Sequence, residues 1–218
     1  YAMINNSPSY FISGIITLLT AFTFHEFAHA WTATKFGDDT PRLYGRLTLN
    51  PMAHLDILGS LMLIFAGFGW AKPVPINPRK LRQHSPAAEM LVSLSGPIAN
   101  FLLAALAAIP LRFGWVSPAV PMINIFPTPY EFLLYFLFTN LGLMVFNLIP
   151  LPPLDGEKIL EFLLPPAWEE WWGTIKPYGP YILMGLFILG PMIGFNLIDV
   201  LISPLVMGMA KLLLGGFW

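Results

Sequence analysis

Long apolar stretches alternate with short polar ones along this chain, and the apolar stretches are of two lengths. Tyr10 to Phe36 can form a helix of about 40 Å, more than the roughly 30 Å of a bilayer's hydrocarbon core. Pro86 to Leu111 and Tyr130 to about Leu151 predict two more spans. Tyr178 to Leu189 and Phe195 to Leu214 predict two closing helices separated at Gly190-Pro191. His54 to Trp70 is shorter, interrupted by glycine and headed by His54 and Asp56, which suits a segment that enters the bilayer and turns back. The polar stretch Arg42-Leu-Tyr-Gly-Arg-Leu-Thr-Leu49 predicts a short strand ending at the Asn50-Pro51 turn. Gly69-Trp-Ala-Lys-Pro-Val-Pro-Ile-Asn-Pro78 carries three prolines, so it can serve only as an edge beside that strand. Phe113 to Pro129 reads as a proline-rich loop at the interface. Glu157 to Lys176 sets Trp168, Trp171 and Trp172 beside Glu169 and Glu170, the composition of an interfacial helix. The expectation is an all-α polytopic membrane protein with about five full transmembrane helices, one re-entrant segment and a small membrane-associated β-hairpin. Residues 1–218 form a single domain, because no segment between spans reaches the roughly 40 residues a separate folded unit needs.

Composition sharpens this picture. Hydrophobic residues make up 56% of the chain and charged residues 11%, which places it in a membrane and not in a soluble class. A formal net charge of −1 offers no basic surface for nucleic acid. With no cysteine, disulfides, thiolate metal ligands and a cysteine nucleophile are excluded.

The first span contains Phe-Thr-Phe-His25-Glu26-Phe-Ala-His29-Ala-Trp31. Residues four apart lie one turn above each other, so His25 and His29 can aim two imidazoles at a single tetrahedral ion. Glu26 lies about 100° around the helix, off the ligand axis yet near enough to reach a water on that ion. Two imidazoles and a carboxylate in five residues of a membrane helix cost several kcal/mol unless paired or coordinated, which favours metal over a polar packing cluster. Two histidines leave zinc one ligand short of a catalytic site's usual three. His54, His84 and the carboxylates remain as candidates. Asp155 is the best placed, at a proline-broken span end with Gly156 beside it, although a helix-end carboxylate in water has the same local signature.

His25-Glu26-x-x-His29, taken with Asn147-x-x-Pro150-x-Pro152-x-Leu154-Asp155-Gly156, resembles the site-2 protease family of intramembrane zinc metalloproteases. Gly45-Arg-Leu-Thr-Leu-Asn-Pro51, His54-x-Asp56 and Gly69-Trp-Ala-Lys-Pro-Val-Pro75 are similar to its compact prokaryotic branch, and the likeness covers about residues 10–160. The resemblance implies one zinc ion held by His25, His29 and Asp155, Glu26 as general base, and cleavage of the transmembrane segments of protein substrates within the lipid bilayer. It also implies a catalytic core over about residues 10–160, with the C-terminal helices at about 178–214 outside it. Larger relatives carry PDZ or cystathionine-synthase-like domains, which are not expected in this chain.

A developing oxyanion needs a donor besides zinc, and Asn147 is the candidate for that or for holding substrate backbone, its alternative being an interhelical hydrogen bond. His54 is a weaker candidate for a place near the site. A zinc transporter or zinc-binding protein and a silent membrane chaperone are the rival classes. The single metal motif without repeated halves argues against the first, and the intact Glu26 against the second.

Closing a three-ligand site constrains topology. The first span and the one from Tyr130 must cross in the same direction, so His54 to Trp70 is the segment that does not cross. With the N-terminus outside, every Lys and Arg except Arg112 then faces the cytoplasm, as the positive-inside rule favours. This predicts a multi-pass protein of the cell membrane with its active site toward the cytoplasm.

Overall fold

The structure is a computed structural model describing residues 8–66, 69–118, 126–194 and 196–215. Its α-helices in chain order are α1 (Pro8–Lys35), α2 (Thr40–Leu43), α3 (Ile57–Ala66), α4 (Pro78–His84), α5 (Ala88–Arg112), α6 (Pro129–Asn147), α7 (Gly156–Leu163), α8 (Pro166–Ile175), α9 (Gly179–Ile188) and α10 (Ser203–Leu214). Among the described residues, α1, α5 and α6 have the length and apolarity to cross a membrane.

These three helices pack on one another. On α1 the buried positions include Ser13, Thr17, Ala21, His25, His29 and Ala33, a ridge that recurs every four residues. Its small members let α5 come close, as helices inside lipid must when no hydrophobic force drives them together. On the other side of α5, Ala104, Ala107 and Ala108 meet Leu137, Leu141 and Val145 of α6, with Val206, Ala210 and Leu214 of α10 completing the core. The start of α6 is a capping box in which Thr128 and Glu131 satisfy each other's backbone N–H groups.

Three expectations are revised. The strand over Arg42–Leu49 is instead the helical turn α2, followed by a turn at Gly45, whose φ of 66° no strand residue adopts. Pro41 sits at the helix start, where its fixed φ and missing N–H favour a first turn. Among the described residues there is no sheet, and the expected hairpin is reduced to an isolated antiparallel bridge between Leu55 and Ala71. Of the five expected full spans, three are helices of sufficient length among the described residues. The closing pair falls short: α9 is about 15 Å long, and a π-helical turn at Ile198–Ile202 running into α10 makes about 25 Å. The break between them lies where Gly190-Pro191 predicted it. The interfacial stretch from Glu157 is likewise split into α7 and α8 at Leu164-Pro165.

Within His54–Trp70, α3 as described is about 15 Å long, half the hydrocarbon thickness. Asp56 accepts the Gly59 N–H at 2.8 Å and so caps it.

Two buried charges hold the loops on that side together. Asp38 accepts from the Thr40 hydroxyl at 2.5 Å and from the Asn77 N–H at 2.6 Å, tying the end of α1 to the start of α4. The Arg46 guanidinium donates to the carbonyls of Ala53 and Lys72. His54 is buried, its Nε2 is 2.8 Å from the Thr48 carbonyl, and its own carbonyl accepts the Lys72 N–H. Residues 72–77 are therefore pinned at both ends, at Lys72 and at Asn77, with neither helix nor strand between.

Candidate metal centre

His25 and His29 lie in the second half of α1, and Asp155 follows the turn that ends α6, so the parallel run of these two helices brings three ligands to one place. Their ligand atoms all lie within 4.8 Å of one another. The His25 and His29 Nε2 atoms are 3.0 Å apart, His25 Nε2 is 3.2 Å from Asp155 Oδ2, and His29 Nε2 is 3.4 Å from Asp155 Oδ1. Two ligands on a tetrahedral zinc at about 2.05 Å would stand about 3.3 Å apart, so the spacing suits that ion.

The protonation pattern points the same way. His29 Nδ1 is 2.7 Å from the Val92 carbonyl. A carbonyl only accepts, so Nδ1 carries a proton, and in the neutral form of the ring Nε2 turns its lone pair toward its neighbours. Asp155 Oδ2 is buried without a hydrogen-bond partner. With both rings neutral and protonated on Nδ1, lone pairs converge here at about 3 Å and repel unless a cation lies among them. The donor set therefore fits zinc.

Glycines permit the approach. A Cβ added to Gly96 on α5 would fall on the imidazoles of His29 and His25, and one on Gly156 would meet the carbonyls of Leu148 and Ile149. The first keeps α5 flush against the ligands; the second lets the chain fold back on the end of α6 and present Asp155. The start of α7 is held in turn by buried Glu157, whose Oε1 is 2.6 Å from Lys176 Nζ. Lys158 bridges Glu161 and Glu89, and Arg82 pairs with Glu89 at 2.5 Å. Burial would raise the Glu161 carboxyl, but hydrogen bonds from Lys176 and Lys158 hold it down at about 2.

A cleft of about 520 Å³ opens onto the three ligands. Glu26 lines it, and its Oε2 accepts the Val74 N–H at 3.1 Å, so residues 72–77 run over the motif's glutamate. Asn147 lines the same cleft, and its Nδ2 donates to the Leu143 carbonyl of its own helix at 2.9 Å. His54 stands outside the three-ligand group, as does His84, whose ring packs edge-on against Phe36. Sequence reasoning named Ser95–Asn100 for helix contact and missed its polar part. Asn100 Oδ1 is 2.7 Å from His25 Nδ1, and Val92 O meets His29. The available signal was an asparagine in mid-span, which lipid tolerates only with partners.

A likeness to known proteins runs through these same elements. The sequence profile described as Peptidase family M50 matches residues 13–124, which takes in the histidine motif on α1 and the whole of α5. YwhC of Bacillus subtilis, provisionally named a zinc metalloprotease, is 42% identical over 175 residues, covering 80% of this chain and 79% of its own. Rip2 of Mycolicibacterium smegmatis, provisionally named likewise, is 36% identical over 185 residues, covering 82% and 67%. No solved structure matches. By profile and relatives together, the chain belongs to peptidase family M50, the site-2 proteases.

Proposed function

We propose that this protein is an intramembrane zinc endopeptidase that cleaves peptide bonds within or near the transmembrane helices of its substrates. The observation that carries the reading is the meeting of His25, His29 and Asp155 at ligand spacing beside Glu26, inside a bundle of membrane-length helices. Zinc held by those three would supply a Lewis acid that acidifies water toward neutral pH and polarises the scissile carbonyl. Glu26 is not a ligand. Its carboxylate takes the proton of the attacking water and returns it to the leaving amine. The Val74 N–H fixes one carboxylate oxygen and leaves the other to face the cleft. Asn147, whose amide has a second N–H beyond the one given to Leu143, is the side chain placed to steady substrate carbonyl oxygen or backbone.

A helical substrate hides its scissile carbonyl in i to i+4 bonds, so it must unwind and find a new backbone partner. Residues 72–77 hang free of helix and sheet above the ligands, and Ile76 lines the cleft, so this segment is the partner for β-addition. The orientation proposed is that of the positive-inside argument, with α3 dipping into the bilayer and returning and the metal centre toward the cytoplasm. The test is the purified protein in detergent or bilayers with a transmembrane-peptide reporter, with and without a zinc chelator. Chelator-sensitive cleavage inside the reporter's helix is expected. Zinc uptake with no cleavage of any transmembrane reporter would favour the binding-protein alternative.

A further inference from the structure

Where α1, α5 and α6 meet at the depth of His25, two asparagine side chains, Asn100 and Asn140, are fully buried. Their hydrogen bonds have one consistent direction. Asn140 Nδ2 donates to the Phe136 carbonyl at 2.9 Å, which fixes that amide and leaves its Oδ1 pointing at Asn100. Asn100 Nδ2 donates to that Oδ1 at 3.0 Å, and also lies 3.4 Å from the Ala21 carbonyl. Asn100 therefore turns its Oδ1, not its NH2, toward His25, where the separation from Nδ1 is 2.7 Å. An oxygen there can only accept, so the proton of His25 is held on Nδ1 and its lone pair on Nε2.

We infer that Asn100 and Asn140 are positioning residues for the metal centre: an amide relay that begins at a backbone carbonyl of α6 and ends by selecting the ligating tautomer of His25. The inference rests on the zinc reading proposed above. The two ligand histidines are oriented by different means. The Val92 carbonyl dictates the tautomer of His29 directly, whereas an asparagine can flip and would offer either group to His25. Asn140 removes that choice. If Asn100 flipped, its NH2 would face the His25 ring and its oxygen would face the Asn140 and Ala21 oxygens, leaving acceptors opposed where both side chains are fully buried. Histidine ligands gain orientation and basicity from the acceptor on their other nitrogen, and losing such a partner costs about 10- to 100-fold in metal affinity. A relay through two side chains predicts that this loss is felt from position 140, whose side chain touches no ligand.

The experiment measures zinc dissociation by competition with a chromophoric chelator in detergent, for wild type, Asn100→Leu, Asn100→Asp, Asn140→Leu and Asn140→Asp. Helix content and thermal midpoint of the metal-free proteins are measured beside it. Asn100→Leu and Asn140→Leu should each weaken zinc by about 10- to 100-fold with metal-free folding retained. Asn100→Asp, as a neutral acid, donates its hydroxyl to Asn140 and keeps a carbonyl acceptor on His25 Nδ1, and should hold zinc near the wild-type level. Asn140→Asp, as a neutral acid, donates to Phe136 and accepts from Asn100 just as the amide does, and should also be near wild type. Unchanged zinc affinity in both leucine variants overturns the relay. So does equal loss in the aspartate and leucine variants, which is what simple packing would give. Should a leucine variant not fold, the aspartate pair decides, since retained zinc supports the relay and lost zinc refutes it. Absence of zinc from the wild type would instead sink the zinc reading itself.

Discussion

Replacing Gly96 with alanine adds one methyl group to α5 and aims it at both histidine ligands. Built on the backbone, that Cβ stands 2.6 Å from Cε1 of His25 and 2.6 Å from Cε1 of His29, where ordinary contact is 3.4–4 Å. The rings, or the two helices, must withdraw by about 1 Å, several times the roughly 0.2 Å within which metal–ligand distances are held. Overpacking of this kind costs about 1–3 kcal/mol, and the gain from alanine over glycine in a helix returns about 1 kcal/mol. The net strain of about 0–2 kcal/mol leaves a folded protein, so damage should concentrate at the metal centre. We expect zinc affinity to fall by about 10- to 100-fold, on the scale of a lost ligand orientation. Cleavage of a transmembrane reporter at saturating zinc should fall by about 100-fold, the usual penalty for a 1 Å misplacement. Gly142→Ala on α6 is the matched control, because its Cβ meets nothing within 4 Å. That variant should bind zinc normally and gain up to about 1 kcal/mol. Chelator competition, reporter cleavage and thermal unfolding of both variants check the argument. If Gly96→Ala binds zinc and cleaves as the wild type does, the close packing of α5 on the two imidazoles is not what holds them.

Glu26→Gln should bind zinc fully yet lose cleavage by about 100-fold or more, since an amide accepts no proton, and substantial turnover would remove Glu26 from the mechanism. Asp155→Ala should lose cleavage and most of the zinc, because two histidines leave the ion under-coordinated; one zinc per chain in that variant would exclude Asp155 as a ligand. Ile76→Pro should impair cleavage and spare zinc by removing an N–H from the segment over the cleft. It is a cleaner probe than Val74→Pro, whose N–H already serves Glu26; full activity of Ile76→Pro would count against β-addition. Single cysteines near Lys35 and Arg82 should be labelled from the cytoplasmic side and one near Arg112 from the other, and labelling of the first two from opposite faces would overturn the proposed topology.

What could be read from the sequence divides by the range of the interaction. The pairing of His25 with His29 is local, because helix geometry alone places residues four apart on one face. Asp155 was the best placed of several candidate ligands, yet it shared its local signature with any helix-end carboxylate until the second motif singled it out. Its arrival beside the histidines depends on the parallel run of α1 and α6 and on Gly156 folding back against Leu148 and Ile149. The strand expected at Arg42–Leu49 failed because alternation over a few residues competes poorly with Pro41, which starts a helical turn, and Gly45, which ends it. The closing helices fall close to the bounds their apolar lengths and the Gly190-Pro191 break predicted, but at about 15 Å and about 25 Å they are shorter than α1, α5 and α6. Asn100 and Asn140 went unremarked as polar residues inside spans, and nothing in a linear sequence says that they face each other, or that one of them faces His25.

The four-residue ridge of α1 gives this helix an arithmetic of its own. Ser13, Thr17 and Ala21 seat the helix on its neighbours, and His25 and His29 continue the same column. An inserted or deleted residue between Ala21 and His25 would turn everything beyond it by about 100° and shift it by about 1.5 Å. The seated half would then carry both imidazoles away from Asp155, toward lipid or into α5. A four-residue insertion turns the column by only about 40°, yet it lifts the ligands by about 6 Å, past the single level at which Gly96 leaves room for them. This helix can therefore exchange side chains in the course of descent far more readily than it can change length, and its relatives should differ here by substitution while keeping the count of residues between seat and ligand.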